Sequence, residues 1–261
     1  MIDPVGRETS SHGRQWDSLH DGYFSDPCIA APLVEKIRDG IASSEPDIVV
    51  DLGGGTGFLL QHLIRHNLAS GIQLLNVDVS PKQLEQASDR HIRTIQRSLT
   101  NFVRTDAAGP GKRILFIMRS VLHYYGREGL EPVLKHLRAQ MQTGELFVHQ
   151  TACSDEQTDA DFINLLYGRM DTGKWYPMAG EFVQTLENCG WAVDSVAPAP
   201  ALLVTSGDLG TRYGISAERM NAIRSELAQR FAEKRGVFET TPDGFRAFLH
   251  YKLFTCVAVN V

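Results

Sequence analysis

Apolar and polar residues follow two different spacings that alternate along most of the chain. Short runs that are almost continuously apolar are typical of strands buried on both faces of a sheet. Such runs occupy Ile48–Leu52, Gln73–Val77, Arg113–Met118 and Glu145–Gln150. Between them, apolar residues recur every three or four positions, which predicts amphipathic helices. Strands that alternate with helices favour a parallel sheet with right-handed crossovers, so the predicted fold class is α/β.

Helix signals fill the spaces between these runs. Ser80, Pro81 and Gln83 together form an N-cap, a first-turn proline and a capping box, which predicts a helix that begins after Ser80. A weaker strand is predicted near Asn101–Arg104, leading to Asp106. The other predicted helices cover residues 29–42, the segment after Gly57, residues 128–142 and residues 180–189.

Beyond residue 152 the alternation becomes looser, which indicates additions to the basic plan. Further strands are predicted at 191–205 and at Phe248–Val259, with a helix capped by Ser216 between them. No linker rich in proline, glycine or serine divides the chain. We therefore predict one domain over residues 45–261, preceded by an N-terminal lid and helical arm at 1–44. Two inserted cap segments are expected, at about 153–179 and 206–245, the second placing helices before the last strand.

A glycine turn follows the first predicted strand, where the chain reads Val49-Val50-Asp51-Leu52-Gly53-Gly54-Gly55-Thr56-Gly57. Glycine accepts positive φ angles and has no side chain, so such a turn lets the backbone approach a ligand closely. The helix that follows offers unpaired N–H groups and the positive end of its dipole. This segment is therefore the strongest candidate for a ligand site.

The spacing of the glycines limits the choice of ligand. A dinucleotide fingerprint needs a third glycine at the position of Phe58, and a phosphate-binding loop needs lysine and serine or threonine after Gly57. Neither is present. The pattern that remains is an acid, Asp51, before the glycines and a second acid, Asp78, after the next strand. A carboxylate at that point can accept hydrogen bonds from both hydroxyls of a ribose.

In this pattern the sequence resembles the class I S-adenosylmethionine-dependent methyltransferases, over roughly residues 45–195. The resemblance is carried by five segments, namely Val49–Gly57, Asn76–Ser80, Arg104–Ala107, Ile117–His123 and Leu186–Trp191. It implies a Rossmann-like sheet of seven strands flanked by helices, in which the last strand is antiparallel. It also implies S-adenosylmethionine as the cofactor and S-adenosylhomocysteine as its product.

The resemblance also assigns cofactor-binding roles to individual residues. Gly53, Gly55 and Gly57 would lie against the methionyl part, and Asp51 would help to hold its ammonium group. Asp78 would bind the ribose hydroxyls. The full set of implied cofactor-binding residues is Asp51, Gly53, Gly55, Gly57, Asp78, Val79, Asp106, Ala107 and Arg119, with Asp106 and Ala107 beside the adenine.

His123 is the candidate catalytic residue. The segment Val121–Tyr125 resembles the Leu-His-Asp-Trp segment of small-molecule O-methyltransferases, although Tyr124 and Tyr125 replace the acid and the tryptophan. An oxygen acceptor of high pKa needs a general base. We therefore expect O-methylation of a small metabolite, of the kind made in secondary metabolism, with His123 as the base.

Two alternatives stay open. His123, His149 and His250 could face one cavity, and neutral imidazoles suit a transition metal. Some methyltransferases of enolisable keto acids resemble this family and use a metal, so C-methylation of such an acid, with or without a metal, is one alternative. The sequence has no metal-ligand spacing, so no metal site is assigned. The other alternative is a member of the fold that binds the cofactor without transferring methyl. The predicted substrate pocket consists of Trp16, Tyr23, Phe24, His149, Trp175 and Tyr176.

Charge and composition narrow the class of partner. The chain has 26 Lys and Arg against 31 Asp and Glu, a formal net charge of −5, which disfavours a nucleic-acid substrate. The four cysteines are scattered without metal or redox spacing. No apolar stretch is long enough to predict a membrane span, and no signal peptide is evident. These features favour a cytoplasmic protein, and leave monomer and homodimer as open alternatives.

Overall fold

The computed structural model describes residues 22–87 and 89–260, so the predicted pocket residue Trp16 lies outside the described part. Helices and strands alternate from residue 27 to the end of β5, with a 3-10 turn at Leu122–Tyr125, and the alternation is lost after residue 152. The helices are α1 Pro27–Ser44, α2 Phe58–Arg65, α3 Pro81–Gln86, α4 Arg104–Ala107, α5 Gly126–Ala139, α6 Gln157–Arg169, α7 Ala179–Asn188, α8 Ser206–Tyr213 and α9 Ala217–Arg230. The strands are β1 Ile48–Leu52, β2 Gln73–Asp78, β3 Ile92–Gln96, β4 Ile114–Arg119, β5 Leu146–Ala152, β6 Trp191–Thr205, β7 Phe238–Thr241 and β8 Gly244–Ala258.

The strands form one mixed sheet in the order β3-β2-β1-β4-β5-β8-β6, and β7 pairs with β8 outside that path. Strands β1 to β5 are parallel to one another. Strand β8 is antiparallel to both β5 and β6. The predicted Rossmann-like sheet with an antiparallel last strand is therefore confirmed, with β7 as an eighth strand that the sequence did not predict.

Burial on both faces explains the continuous apolar runs. All five residues of β1 are buried, and alternate side chains enter opposite layers. Val49 packs with α1 and α2 on one face, where Leu33 and Leu60 are fully buried. Val50 packs with α5 and α7 on the other face. The two layers leave the carboxyl ends of the parallel strands at one edge of the sheet, where ligands of such folds bind.

A third hydrophobic cluster lies beyond the main sheet. It joins α6, α8 and α9 to β7 and to the first half of β8, with Phe162, Leu209 and Leu227 at its centre. Strand β8 is much longer than β5, which pairs with it from Tyr251 to Val257. The remainder, from Gly244, pairs with β6 and β7 and supports this cluster. We call α6, α8, α9 and β7 the cap.

The strand predicted near Asn101–Arg104 is wrong. The third strand is Ile92–Gln96, and residues 104–107 form the short helix α4 instead. Asp106 accepts a hydrogen bond from the backbone N–H of Val103, at 3.2 Å, which favours a helical turn there. Strand β3 lies at the edge of the sheet with most of its side chains exposed. Its apolar signal is weak for that reason.

No helix within the described ranges combines the length and the hydrophobicity needed to span a bilayer.

The buried carboxylate of Glu145 connects three segments at the end of the sheet opposite the ligand edge. Glu145 accepts two hydrogen bonds from the guanidinium of Arg104, at 2.6 and 2.7 Å. It also accepts from the backbone N–H groups of Ile114 and Gln142, both at 2.8 Å. Glu145 is 5% exposed. One side chain thus joins β4, α4 and the turn before β5, and removing its charge leaves the Arg104 cation partly buried without a partner.

We expect Glu145→Gln to lower the free energy of unfolding by about 3 kcal/mol, because it breaks a buried ion pair from one side. Urea unfolding followed by circular dichroism measures the change. The matched control is Glu131→Gln, which breaks the exposed pair with Lys135 and should leave the unfolding midpoint unchanged. Equal effects of the two substitutions would show that the buried ion pair of Glu145 does not stabilise the fold.

Candidate active site

A cavity of about 570 Å³ opens at the carboxyl ends of β1, β2 and β4. One part of its wall comes from the glycine turn and the end of β2, and another from the segment after β4. The residues that matter most for its chemistry are Phe24, Asp51, Gly53, Gly54, Gly55, Asp78, Ser98, Leu99, Arg119, Tyr124 and Tyr125. Its size is in the range of ordinary cofactor and small-molecule sites.

The glycine turn is held tightly against β2. The N–H of Gly53 donates to the carbonyl oxygen of Val77 at 2.7 Å. Gly53, Gly55 and Gly57 have φ angles of +72°, +55° and +75°, which glycine adopts without strain. Gly55 lines the cavity, and Gly57 precedes the first turn of α2. The turn therefore has the backbone conformation that the sequence predicted.

Gly54 has a steric role that the sequence analysis missed. A Cβ at this position would lie 2.3 Å from Oδ1 of Asn76 and 2.6 Å from Oδ2 of Asp51. Asn76 in turn donates from its side chain to the carbonyl oxygen of Gly55, at 2.9 Å. The turn thus passes directly over two buried polar side chains. The run of glycines was visible in the sequence, but the contact with Asn76 was not.

Asp51 is a buried acid without full hydrogen bonding. It is 1% exposed, and its Oδ1 has no partner among the residues that the structure describes. Burial raises the pKa of Asp51 to about 7, and the nearby negative charge of Asp78 adds to the rise, while Arg119 opposes it. A buried oxygen of this kind needs a partner. A cation in the cavity would supply one.

Asp78 lies at the end of β2 and is oriented by the backbone. Its Oδ2 accepts from the N–H of Gly55 at 2.9 Å, and its Oδ1 accepts from the N–H of Ser80 at 2.8 Å. Burial raises the pKa of Asp78, and the hydrogen bonds from Ser80 and Gly55 oppose that rise. Each carboxylate oxygen keeps a further lone pair for a donor. Val79, beside it, lines the cavity with its side chain partly exposed.

Arg119 is a cation on the same wall. Its guanidinium lies 5.5, 5.3 and 5.8 Å from the ring centroids of Tyr23, Phe24 and Phe58. It donates to the backbone carbonyls of Tyr23 and Phe24 and to Oε1 of Gln150. No carboxylate of a described residue pairs with it within 4 Å. These bonds use three of the five guanidinium N–H donors, and among the described residues the positive charge is not neutralised by a carboxylate.

The structure corrects the prediction for Asp106 and Ala107. Neither residue lines the cavity, because the third strand lies earlier in the chain than expected. Asp106 pairs with Arg97 at 3.4 Å instead, and Ala107 is buried in the core. Ser98 and Leu99, which follow β3 directly, occupy the wall where Asp106 was expected.

His123 lies behind the cavity wall. It sits in the 3-10 turn after β4 and is 5% exposed. Its ring is 4.2 Å from the ring of Tyr124 and stacks on Tyr176 at 5.3 Å. Its two neighbours, Tyr124 and Tyr125, line the cavity, whereas His123 does not.

The predicted aromatic pocket is assembled only in part. Phe24 lines the cavity. Tyr23 is buried beneath it, where its hydroxyl donates to the carbonyl of Pro200 at 2.6 Å. Trp175 lies away from the wall, with its ring 4.7 Å from the guanidinium carbon of Arg127. Tyr176 is fully buried, and its hydroxyl has no hydrogen-bond partner within the described chain.

The structure also corrects the assignment of His149 to the substrate pocket. His149 is fully buried in the core and stacks on Phe254 at 4.9 Å. Burial lowers its pKa to about 3. The Nε2 of His250 lies in the cap region and is hydrogen-bonded to the carbonyl oxygen of Gly236, at 2.8 Å. Within the described ranges, no group of three or more histidine, cysteine or acidic residues could hold a metal ion.

Comparison with known proteins agrees with this geometry. Residues 50–144 match the family model described as a methyltransferase domain. That segment runs from the middle of β1, through the glycine turn, to Gly144 in the turn before β5. No curated protein sequence matches the chain.

Solved structures share the fold at low sequence identity. The YcgJ protein of Bacillus subtilis has a TM-score of 0.66 and 12% identity, over 88% of this chain and 100% of its own. The 1,6-didemethyltoxoflavin-N1-methyltransferase of Burkholderia thailandensis, with S-adenosylhomocysteine bound, has a TM-score of 0.55 and 13% identity, over 100% and 92%. The geranyl diphosphate C-methyltransferase of Streptomyces coelicolor A3(2) has a TM-score of 0.53 and 13% identity, over 88% and 79%. Residues 50–144 are thus similar to a methyltransferase domain, and the whole described chain shares the fold of these solved structures.

Proposed function

We propose that this enzyme binds S-adenosylmethionine at the glycine turn and transfers its methyl group to a small molecule in the same cavity. The observation that carries the proposal is the buried Oδ1 of Asp51, which lacks a partner beside the cavity. The ammonium group of the methionyl part is a cation that fits this position. Arg119, on the adjoining wall, would hold the carboxylate of the same amino-acid part.

The rest of the cofactor would lie along the ends of β1, β2 and β3. Gly53 and Gly55 leave room for the backbone to contact the methionyl part. Asp78, oriented by Gly55 and Ser80, would accept from the ribose hydroxyls, with Val79 beside it. Ser98 and Leu99 would contact the adenine, in the place that the sequence assigned to Asp106. Every part of this proposed site is supplied by residues that line one cavity.

The cofactor supplies an already activated methyl group on a sulfonium. The task of the protein is therefore to orient the acceptor and to keep water away from it. The cavity volume suits a cofactor with a small acceptor more than a macromolecule. The negative net charge also disfavours a nucleic-acid substrate.

Oxygen is the acceptor atom that we propose, with His123 as the general base. In the described arrangement Tyr124 separates His123 from the cavity, so this role requires the Tyr124 ring to move when the acceptor binds. Carbon methylation and cofactor binding without methyl transfer are the alternatives. The three possibilities differ in the product. Only O-methylation yields an ether or ester, and cofactor binding without methyl transfer yields no methylated product.

Gly54→Ala should weaken the binding of S-adenosylhomocysteine at least tenfold, a loss of about 1.4 kcal/mol. The added methyl group would displace Asp51 and Asn76, the side chains beneath the turn. Isothermal titration calorimetry measures the affinity. The matched control is Gly109→Ala, because a Cβ at Gly109 meets nothing within 4 Å. Unchanged affinity in Gly54→Ala would disprove the placement of the cofactor at this turn.

The affinity for S-adenosylhomocysteine should fall roughly five- to tenfold as the pH is lowered from 7.5 to 6. With its pKa at about 7, Asp51 becomes protonated over this range and no longer attracts the ammonium. The amino group of the ligand gains some positive charge over the same range, since α-amino groups have pKa values of about 7.7–8.0, and this offsets only a small part of the loss. Calorimetry at several pH values measures the slope.

The control for this pH dependence is Asp51→Asn. It should bind more weakly than the wild type, with an affinity that does not fall between pH 7.5 and 6. A slope that persists in Asp51→Asn would assign the pH dependence to another group.

Methyl transfer itself is tested with S-adenosylmethionine labelled in the methyl group, incubated with pools of phenols, carboxylic acids and enolisable keto acids. Mass spectrometry and NMR of the labelled product identify the methylated atom.

His123→Ala should lower kcat by at least a hundredfold while the affinity for S-adenosylhomocysteine is kept, because general acid–base catalysis typically contributes 10²–10⁴-fold. Asp78→Ala should instead weaken cofactor binding. A labelled C-methyl product, or no labelled product at all, would contradict O-methylation.

A further inference from the structure

A buried amide oxygen without a partner lies beside the glycine turn. It is Oε1 of Gln83, on α3, the helix that follows β2. Gln83 is 6% exposed, and Oε1 makes no hydrogen bond to any residue that the structure describes. The same residue lines the cavity. An unsatisfied polar atom in the wall of a cavity is a candidate for contact with a ligand.

The contacts of Gly55 define where this oxygen lies. A Cβ built on Gly55 would be 3.4 Å from Oε1 of Gln83. The N–H of the same glycine donates to Oδ2 of Asp78 at 2.9 Å. Gly55 follows β1, whereas Ser98 and Leu99 follow β3, on the other side of β2. The Gln83 oxygen is thus a neighbour of the Asp78 carboxylate, on the side away from the proposed adenine position.

The cap of α3 does not use the Gln83 side chain. In a capping box, the side chain at this position accepts from the N–H of the N-cap residue, Ser80. That N–H donates to Oδ1 of Asp78 instead, at 2.8 Å. Gln83 contributes only its backbone N–H, which donates to Oγ of Ser80 at 3.4 Å. A buried oxygen without a donor costs stability, so helix capping does not explain the amide.

The groups around Gly55 indicate which donor would suit the amide. Two acceptors lie there, the neutral oxygen of Gln83 and the carboxylate of Asp78. A vicinal diol has two O–H donors on adjacent carbon atoms, one for each acceptor. The terminal torsion of a glutamine is broad, so the amide can turn Oε1 towards a ligand in the cavity that it lines. A cation suits the neutral amide less well than it suits the acid Asp51.

We infer that Gln83 shares the ribose of the cofactor with Asp78, so that Oε1 accepts a hydrogen bond from one hydroxyl and Asp78 accepts from the other. The inference rests on the proposed function and adds to it a second group that recognises the diol. Gln83 is a specificity-determining residue, which distinguishes a ribonucleoside from its deoxy form. It takes no part in breaking the sulfonium–methyl bond.

The test measures how the protein binds S-adenosylhomocysteine and its 2′-deoxy and 3′-deoxy counterparts, by isothermal titration calorimetry. The wild type should bind the full diol more tightly than either deoxy compound. Gln83→Met, with an unbranched apolar side chain of similar length, should weaken the binding of S-adenosylhomocysteine roughly three- to tenfold, the effect of one neutral hydrogen bond. One deoxy compound should bind to wild type and variant alike, because the hydroxyl that contacts Oε1 is already absent from it.

Thermal unfolding of the ligand-free protein separates a binding role from a structural one. Gln83→Met should unfold at the same temperature as the wild type or at a higher one, because it removes a buried oxygen that has no donor. An amide that stabilises the fold would give the opposite change. Differential scanning calorimetry measures the unfolding temperature. Gln83→Ala is used for both measurements should the methionine variant fail to fold.

The matched control is Gln86→Met, on the same helix. Gln86 also lines the cavity, but it is exposed, and no buried atom of it lacks a partner. This variant carries the same chemical change three residues further along the chain. It should keep the wild-type preference for the full diol over both deoxy compounds.

The outcomes separate this inference from the proposed function. The inference is overturned when Gln83→Met keeps the full preference for the diol, or when it weakens the binding of all three compounds by the same factor. A lower unfolding temperature with an unchanged preference would assign the amide a structural role only. Failure of the wild type to bind S-adenosylhomocysteine would instead overturn the proposed function.

Discussion

The close passage of Gly54 over Asp51 and Asn76 is the constraint on which the donor half of the site depends. With no side chain at Gly54, the turn can come down onto two buried polar groups. In the same position of the turn, the N–H of Gly55 donates to the carboxylate of Asp78, and the backbone of the turn faces the cavity. One missing methyl group therefore fixes the positions of two acids and of the surface between them.

Charge then divides the cavity into two halves. The acids at the ends of β1 and β2 repel each other, which makes the pair receptive to a cation. Arg119 lies on the adjoining wall, with its guanidinium next to the rings of Tyr23, Phe24 and Phe58. A zwitterion, which carries one cationic and one anionic group, is the kind of molecule that this arrangement of charges suits best.

The features that could be predicted from the sequence are those that depend on a local pattern of residues. The buried strands, the glycine turn, Asp51 and Asp78 follow from continuous apolar runs and from residues at their ends. Strand β3 was missed because it is an exposed edge strand, and the assignment of Asp106 failed with it. His149 lies in a correctly predicted strand, but its position among Phe147, Phe182 and Phe254 depends on packing between distant segments.

The overhang of β8 beyond β5 has an evolutionary consequence. From Gly244 to His250 this strand pairs only with cap-side neighbours, β6 and β7, and the cap has a hydrophobic cluster of its own. Mutations in that cluster can change the cap without passing through the layer that shapes the glycine turn. Descendants of one ancestral gene can therefore differ in the cap while they inherit an unchanged glycine turn.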